Sequence, residues 1–67
     1  MNIKTEFTEP ECEWFRRVCN FTPQERAVFD LRAQDSTIVQ IQDKLNLSES
    51  TVNRRIKAIK AKIHKVL

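Results

Sequence analysis

Glycine is missing from this 67-residue chain. Every tight reversal must therefore be made by a residue that carries a Cβ, and among those Asn and Asp enter the left-handed backbone region most readily. Tyrosine is absent as well, and there is one histidine, His64. That histidine and two cysteines, with no C-x2-C or H-x3-H spacing, cannot surround a zinc ion, so no metal or cofactor is expected. The same poverty argues against an enzyme. No nucleophile stands with a base, no carboxylates are obviously paired in a cleft, and the chain is too short for a pocket. Long apolar runs are lacking too, so no membrane span is expected. The start, MNIKTEFTEPE, has neither the apolar core of a signal peptide nor the acid-poor composition of a transit peptide, and a cytoplasmic protein is expected.

Cys12 and Cys19 are seven positions apart in what reads as a helix, which separates their α-carbons by about 10 Å. A bridge between them is excluded. The simpler reading is two small buried apolar residues in a reducing compartment; an intersubunit disulfide or a reactive thiol is the alternative.

What is present describes one small domain, residues 1–67, in which about 60% of the unfolded surface can be buried. Hydrophobic residues at 40% and charged residues at 31% suit a folded chain, because disordered ones are poorer in apolar side chains. The net charge of +3 conceals a division. Residues 1–43 hold five Lys or Arg against eight Asp or Glu, and residues 44–67 hold seven against Glu49 alone. One end is thus built to face a polyanion while the rest avoids it.

Helix starts are legible as capping boxes. Thr8-Glu9-Pro10-Glu11, Thr22-Pro23-Gln24-Glu25 and Thr37-Ile38-Val39-Gln40 each offer a hydroxyl to the N3 amide and an acid or amide that reaches back. Pro23 at N1 strengthens the second, and Pro10 still falls in a first turn. Ser48 caps a fourth helix without the reciprocal acid. Helices are predicted at about 8–19, 23–34, 37–45 and 49–66, with no strand, since no run alternates with period two. The expected fold is all-α, a small bundle of three to four helices. Trp14, Phe15, Val18 and Cys19 form the first apolar face; Val28, Phe29 and Leu31 the second; Ile38, Ile41 and Leu45 the third. Val52, Ile56, Ile59, Ile63 and Val66 step by four and three along the last helix, a seam that serves either as core or as a dimer contact. The second reading gains because Ile63, Val66 and Leu67 lie beyond the reach of a short preceding helix.

Between Leu45 and Ser48 the chain must reverse, and Asn46 is the best candidate for positive φ, with Leu47 filling the angle. Two helices joined by so short a turn are the grammar of a helix-turn-helix. With the last helix's apolar stripe buried, its 100° step per residue turns Ser50, Asn53, Arg54, Lys57 and Ala61 outward. Arg54 and Lys57 can reach guanine edges or phosphates, and Asn53 can donate and accept at adenine. Arg55, Lys60 and Lys62 border the stripe, placed for phosphates that set position and not sequence. Cations near a helix C-terminus are also favoured by its dipole, so the charge run alone proves little.

From Phe21 onward, FTPQERAVFDLRAQDSTIVQIQDKLNLSESTVNRRIKAIKAKI resembles the LuxR/GerE-type helix-turn-helix and its relative, sigma-70 region 4. The family pattern, roughly [LF]TPxExxVxxLxAxGxSxxEIAxxLxISxxTVxxxxxxIxxKL, lies on the chain without a gap. It matches at Thr22-Pro23, Glu25, Val28, Leu31, Ala33, Ile41, Leu45, Leu47-Ser48, Thr51-Val52, Ile59, Lys62 and Ile63. The resemblance divides the chain into an N-terminal extension, 1–20, and a core, 21–67. It implies a positioning helix over Thr37–Leu45 and a recognition helix from Glu49 that lies in the major groove. Base contacts would come from Ser50, Asn53, Arg54 and Lys57, and backbone contacts from Thr51 and Arg55, joined by Lys60 and Lys62. Two positions depart from the pattern. Asp35 replaces a glycine, and Gln42 replaces a small alanine at which the helix pair approaches closely. The separate fourth helix through which such domains often dimerise does not follow in this sequence, so the extension with Trp14 and Phe15 is expected to supply core or interface.

The function expected is a sequence-specific, non-enzymatic binder of double-stranded DNA, a small bacterial or phage transcriptional regulator acting as a homodimer on paired half-sites. With no sensor or receiver segment in these residues, control is expected through abundance, partners or oligomerisation. Two alternatives stay open. One is a sigma-region-4-like interaction module that binds RNA polymerase or another regulator; the other is a phage DNA-packaging recognition subunit.

Overall fold

A computed structural model describes residues 3–67, except the side chains of residues 4 and 5. The expected extension, 1–20, thus begins outside the described residues. The elements are α1 (Ile3–Glu6), α2 (Glu9–Val18), α3 (Pro23–Ala33), α4 (Ile38–Leu45) and α5 (Glu49–Val66). No strand occurs among the described residues. Among the described residues the molecule is an all-α bundle of four helices preceded by a single turn.

The three capping boxes close as the spacing predicts. Thr8 Oγ1 accepts from the Glu11 amide at 3.4 Å while Glu11 Oε1 takes the Thr8 amide at 2.9 Å. The reciprocal pairs are 3.2 and 3.1 Å at Thr22 and Glu25, and 3.2 and 2.8 Å at Thr37 and Gln40. Each satisfies two amides that a helix start leaves without partners, and such a cap is worth about 1 kcal/mol. Ser48 caps α5 through the Thr51 amide at 3.2 Å.

Among the described residues, Asn20 (52°), Asp35 (66°) and Asn46 (55°) take positive φ in place of the missing glycines. After α3 the Ser36 amide reaches the Leu31 carbonyl and the Asp35 amide reaches that of Arg32, both at 3.0 Å. These are the paired bonds of a Schellman motif, so Asp35 adopts the conformation of the glycine it replaces. After α4 the Leu47 amide closes on the Gln42 carbonyl at 3.1 Å around Asn46. Gln42 itself is half-buried.

One apolar cluster unites the elements. Ile3, Cys12, Phe15, Cys19, Val28, Phe29, Ile41, Val52, Ile59 and Ile63 are buried, and Phe7, Phe21, Leu31, Ile38, Leu45, Leu47, Ile56 and Val66 pack partly against them. Phe7 meets Phe15 edge-on at 4.8 Å and Phe21 tilts on Phe29 at 5.0 Å, geometries that suit the aromatic quadrupole. Arg16 stitches α2 to α3, with Nε donating to Asp30 at 2.7 Å and the guanidinium 5.4 Å from the Phe29 ring centre.

The first expected apolar face needs correction. In α2 the inward stripe is Cys12, Phe15 and Cys19, while Trp14 and Val18 stand 44% and 40% exposed. An amphipathic helix of this length allows neighbouring stripes, and the partner elements choose between them. One of those partners, α1, was not expected; a single turn is too short to show periodicity, yet it delivers Ile3 to the core. The seam of α5 faces the chain's own core. Val52, Ile59 and Ile63 are fully buried, Ile56 and Val66 half-buried, and Leu67 exposed.

Cys12 and Cys19 are free and buried. Burial pushes both thiols above their ordinary value, helped at Cys12 by the nearby Glu9 carboxylate and opposed at Cys19 by Lys62. A protonated, buried thiol is a poor nucleophile.

Candidate nucleic-acid interface

α5 is 18 residues long, about 27 Å at 1.5 Å per residue. Burying Val52, Ile59 and Ile63 fixes its rotation, and the opposite side is then open. Ser50, Asn53, Arg54 and Lys57 are all exposed, and their spacing of three, four and seven puts them on one face across the first turns. Lys60, Ala61 and Lys65 continue exposed further along, and Ala58 is half-buried. No acidic residue follows Glu49 in the sequence, so the later turns of α5 add no acidic side chain to this side.

The remaining expected contacts are placed differently from one another. Thr51 is half-buried at the edge of the face, and its Oγ1 accepts from Ser48 Oγ at 2.9 Å and from Arg54 Nη2 at 3.3 Å. Arg55 is half-buried and reaches α3, where Nε donates to Gln24 Oε1 at 2.5 Å. Lys60 is exposed.

Lys62 turns inward. Its Nζ donates to Glu25 Oε1 at 2.5 Å and to the Asn20 carbonyl at 3.2 Å, with the Lys62 side chain 31% and that of Glu25 9% exposed. Burial alone would push the Glu25 carboxyl up. The Lys62 hydrogen bond, the Thr22 amide and the charges of Lys62 and Arg55 outweigh it and hold the group below its ordinary value. The ammonium expected beside phosphate thus ties α5 to the start of α3 and to the turn at Asn20. Gln24 and Glu25, which grip Arg55 and Lys62, were not singled out as site residues. The only sequence signal for the pair was that Glu25 and Lys62 both fall on the family pattern.

A short helix, a left-handed turn at Asn46 and a longer helix with one side buried and the other exposed and basic define a helix-turn-helix protein. The family described as bacterial regulatory proteins, luxR family (GerE), matches residues 19–65. The chain belongs to this family, whose members are DNA-binding transcription regulators. Comparison with curated proteins and with solved structures gives no significant match. Among the described residues no helix is long and apolar enough to cross a membrane, and no cluster of His, Cys, Asp and Glu fit to hold a metal occurs among them.

Proposed function

We propose that this chain is a sequence-specific regulator that lays the first half of α5 in the major groove of double-stranded DNA. Ser50, Asn53, Arg54 and Lys57 read base edges, while Arg55 and Lys60 lie along the phosphates. Lys62 is assigned to the fold and not to the duplex. The observation that carries this reading is the exposure of one face of α5, cationic after Glu49, opposite its buried ridge.

Two copies would bind paired half-sites in the cytoplasm, since one short recognition helix contacts only a few base pairs. The outer flank of α2, where Trp14 and Val18 are exposed, supports a contact between copies there. Regulation would follow from occupying a promoter site, in competition with polymerase or another regulator.

Titrating purified protein against duplex DNA at rising salt tests the reading. Each neutralised phosphate contributes a slope of about −0.9 in log affinity against log salt, so a handful of contacts gives a steep fall between about 50 and 200 mM. A shallow dependence, or a protein that ignores duplexes and pulls down a protein partner, would sink it. A selection from random duplexes should recover a palindrome if two copies bind together.

A further inference from the structure

Arg54 offers a guanidinium to the open face, yet a long side chain on a solvent-facing helix carries about 2 kcal/mol of rotamer entropy that must be surrendered when it reads a base. In this structure that side chain is already tethered. Its Nη2 donates to Thr51 Oγ1 at 3.3 Å, one turn back along the same face. Thr51 Oγ1 also accepts from Ser48 Oγ at 2.9 Å, and Ser48 Oγ is in turn fixed by the Thr51 amide at 3.2 Å. The two hydrogen bonds fill both lone pairs of the threonine hydroxyl. Thr51 is half-buried, and of the two χ1 rotamers open to a helical threonine the bond from Ser48 Oγ holds one. The chain from the N-cap to the arginine is thus anchored at its base and ends in a planar fork.

Only one of the five guanidinium N–H donors is used by Thr51. Those that remain suffice for the two-point contact that guanine O6 and N7 present. Long side chains on a helix lean toward its N-terminus, the end of α5 that the turn at Asn46 presents.

We propose that Thr51 is a positioning residue for base reading, holding the Arg54 guanidinium in place through the Ser48–Thr51–Arg54 hydrogen-bond chain. The inference rests on the groove-binding reading above. It predicts that Thr51 governs discrimination at the base pair read by Arg54 while leaving affinity for unrelated duplexes little changed.

The test uses four proteins, wild type, Arg54→Ala, Thr51→Val and Thr51→Ser, each carried through selection from random duplexes. Arg54→Ala identifies the base pair that Arg54 reads as the position whose preference disappears. The affinity ratio between the selected duplex and one altered at that pair is then measured. Thr51→Val, which keeps the shape and removes the hydroxyl, should lower that ratio about tenfold, part of the discrimination a bidentate pair supplies. Thr51→Ser should restore it to within about threefold of wild type, on the same scale of discrimination. Equal weakening of both duplexes by Thr51→Val, with the ratio unchanged, would overturn the inference and make Thr51 a phosphate contact. A wild-type protein without base preference would overturn the groove reading and this inference together. Should Thr51→Val fail to fold, side-chain NMR of the free wild-type protein decides: the Arg54 guanidinium should be more ordered than that of exposed Arg17, and equal mobility would overturn the proposal.

Discussion

Replacing Lys62 with methionine removes an ammonium but keeps most of the apolar stem, so the change isolates the ion pair with Glu25. Glu25 is 7% exposed as a residue, and its Oε1 holds the Lys62 ammonium at 2.5 Å and the Thr22 amide at 3.1 Å. Removing one partner of a fully buried pair costs about 3–5 kcal/mol, because the other charge is left without compensation. Lys62 is 31% exposed along its side chain, so water can enter beside Glu25 and the cost falls to about 2 kcal/mol. With a urea m-value of about 1 kcal/mol/M for a chain this short, the unfolding midpoint should drop by about 2 M.

Acid supplies the control. In the wild type Glu25 sits below its ordinary carboxyl value of 4.5. Its contribution is therefore fully present above that value and is lost as pH falls through the depressed one. In Lys62→Met, burial acts with less opposition and the carboxyl moves upward, so protonation relieves the variant. The gap between the two proteins should be widest near neutral pH and close as the pH falls below the ordinary carboxyl range. A gap independent of pH would refute the argument. So would an unchanged midpoint accompanied by a salt slope shallower by about one phosphate, the signature of a lysine lying on DNA.

Asn46→Gly should leave stability within about 0.5 kcal/mol, whereas Asn46→Val should lose about 1–2 kcal/mol by forcing a β-branched residue to positive φ; equal stabilities in urea melts would show that the turn does not need the left-handed conformation. Lys60→Ala should weaken all duplexes alike and reduce the salt slope by about 1, while Arg54→Ala should lose about 1–3 kcal/mol of discrimination at one base pair. A changed base preference in Lys60→Ala, read by competition binding, would contradict that division. Cys12 and Cys19, buried and with raised thiol values, should react with a thiol reagent only as the chain opens, so labelling should accelerate across the urea transition. Rapid labelling in native buffer would contradict their burial.

What could be read from sequence follows the range of the forces involved. The α2, α3 and α4 starts lie within one residue of those expected, because a capping box is a contact between residues three apart and is written out locally. The left-handed turn at Asn46 was legible for the same reason, and in a chain without glycine few residues can fill that position. Asn20, with φ of 52°, does the same task between α2 and α3 but carries no flanking grammar that marks it. The inward side of α2 was read in part: Cys12 and Cys19 are buried as expected, but Trp14 and Val18, large apolar side chains placed on the same inward face, stand outside it. The choice was made elsewhere, by Arg16 reaching Asp30 and by Phe7 closing on Phe15.

Long-range pairing also decides which cations α5 has free. By helical position alone, Lys60 and Lys62 both border the buried ridge and look equivalent. Glu25 lies 37 residues from Lys62 in sequence, and only the fold brings it to that side of α5. Once Glu25 takes Lys62 and Gln24 takes Arg55 Nε, α3 grips α5 at two points seven residues apart, on the same side of the helix. A helix held in that way cannot roll about its axis without breaking both contacts, so the rotation that exposes Asn53, Arg54 and Lys57 is set as much by the polar residues of α3 as by the apolar ridge. It follows that the Gln24→Ala, Lys62→Met double variant should lose base discrimination even though neither residue lies on the reading face. If that variant stays folded and its selected duplexes match those of the wild type, the apolar ridge alone fixes the rotation.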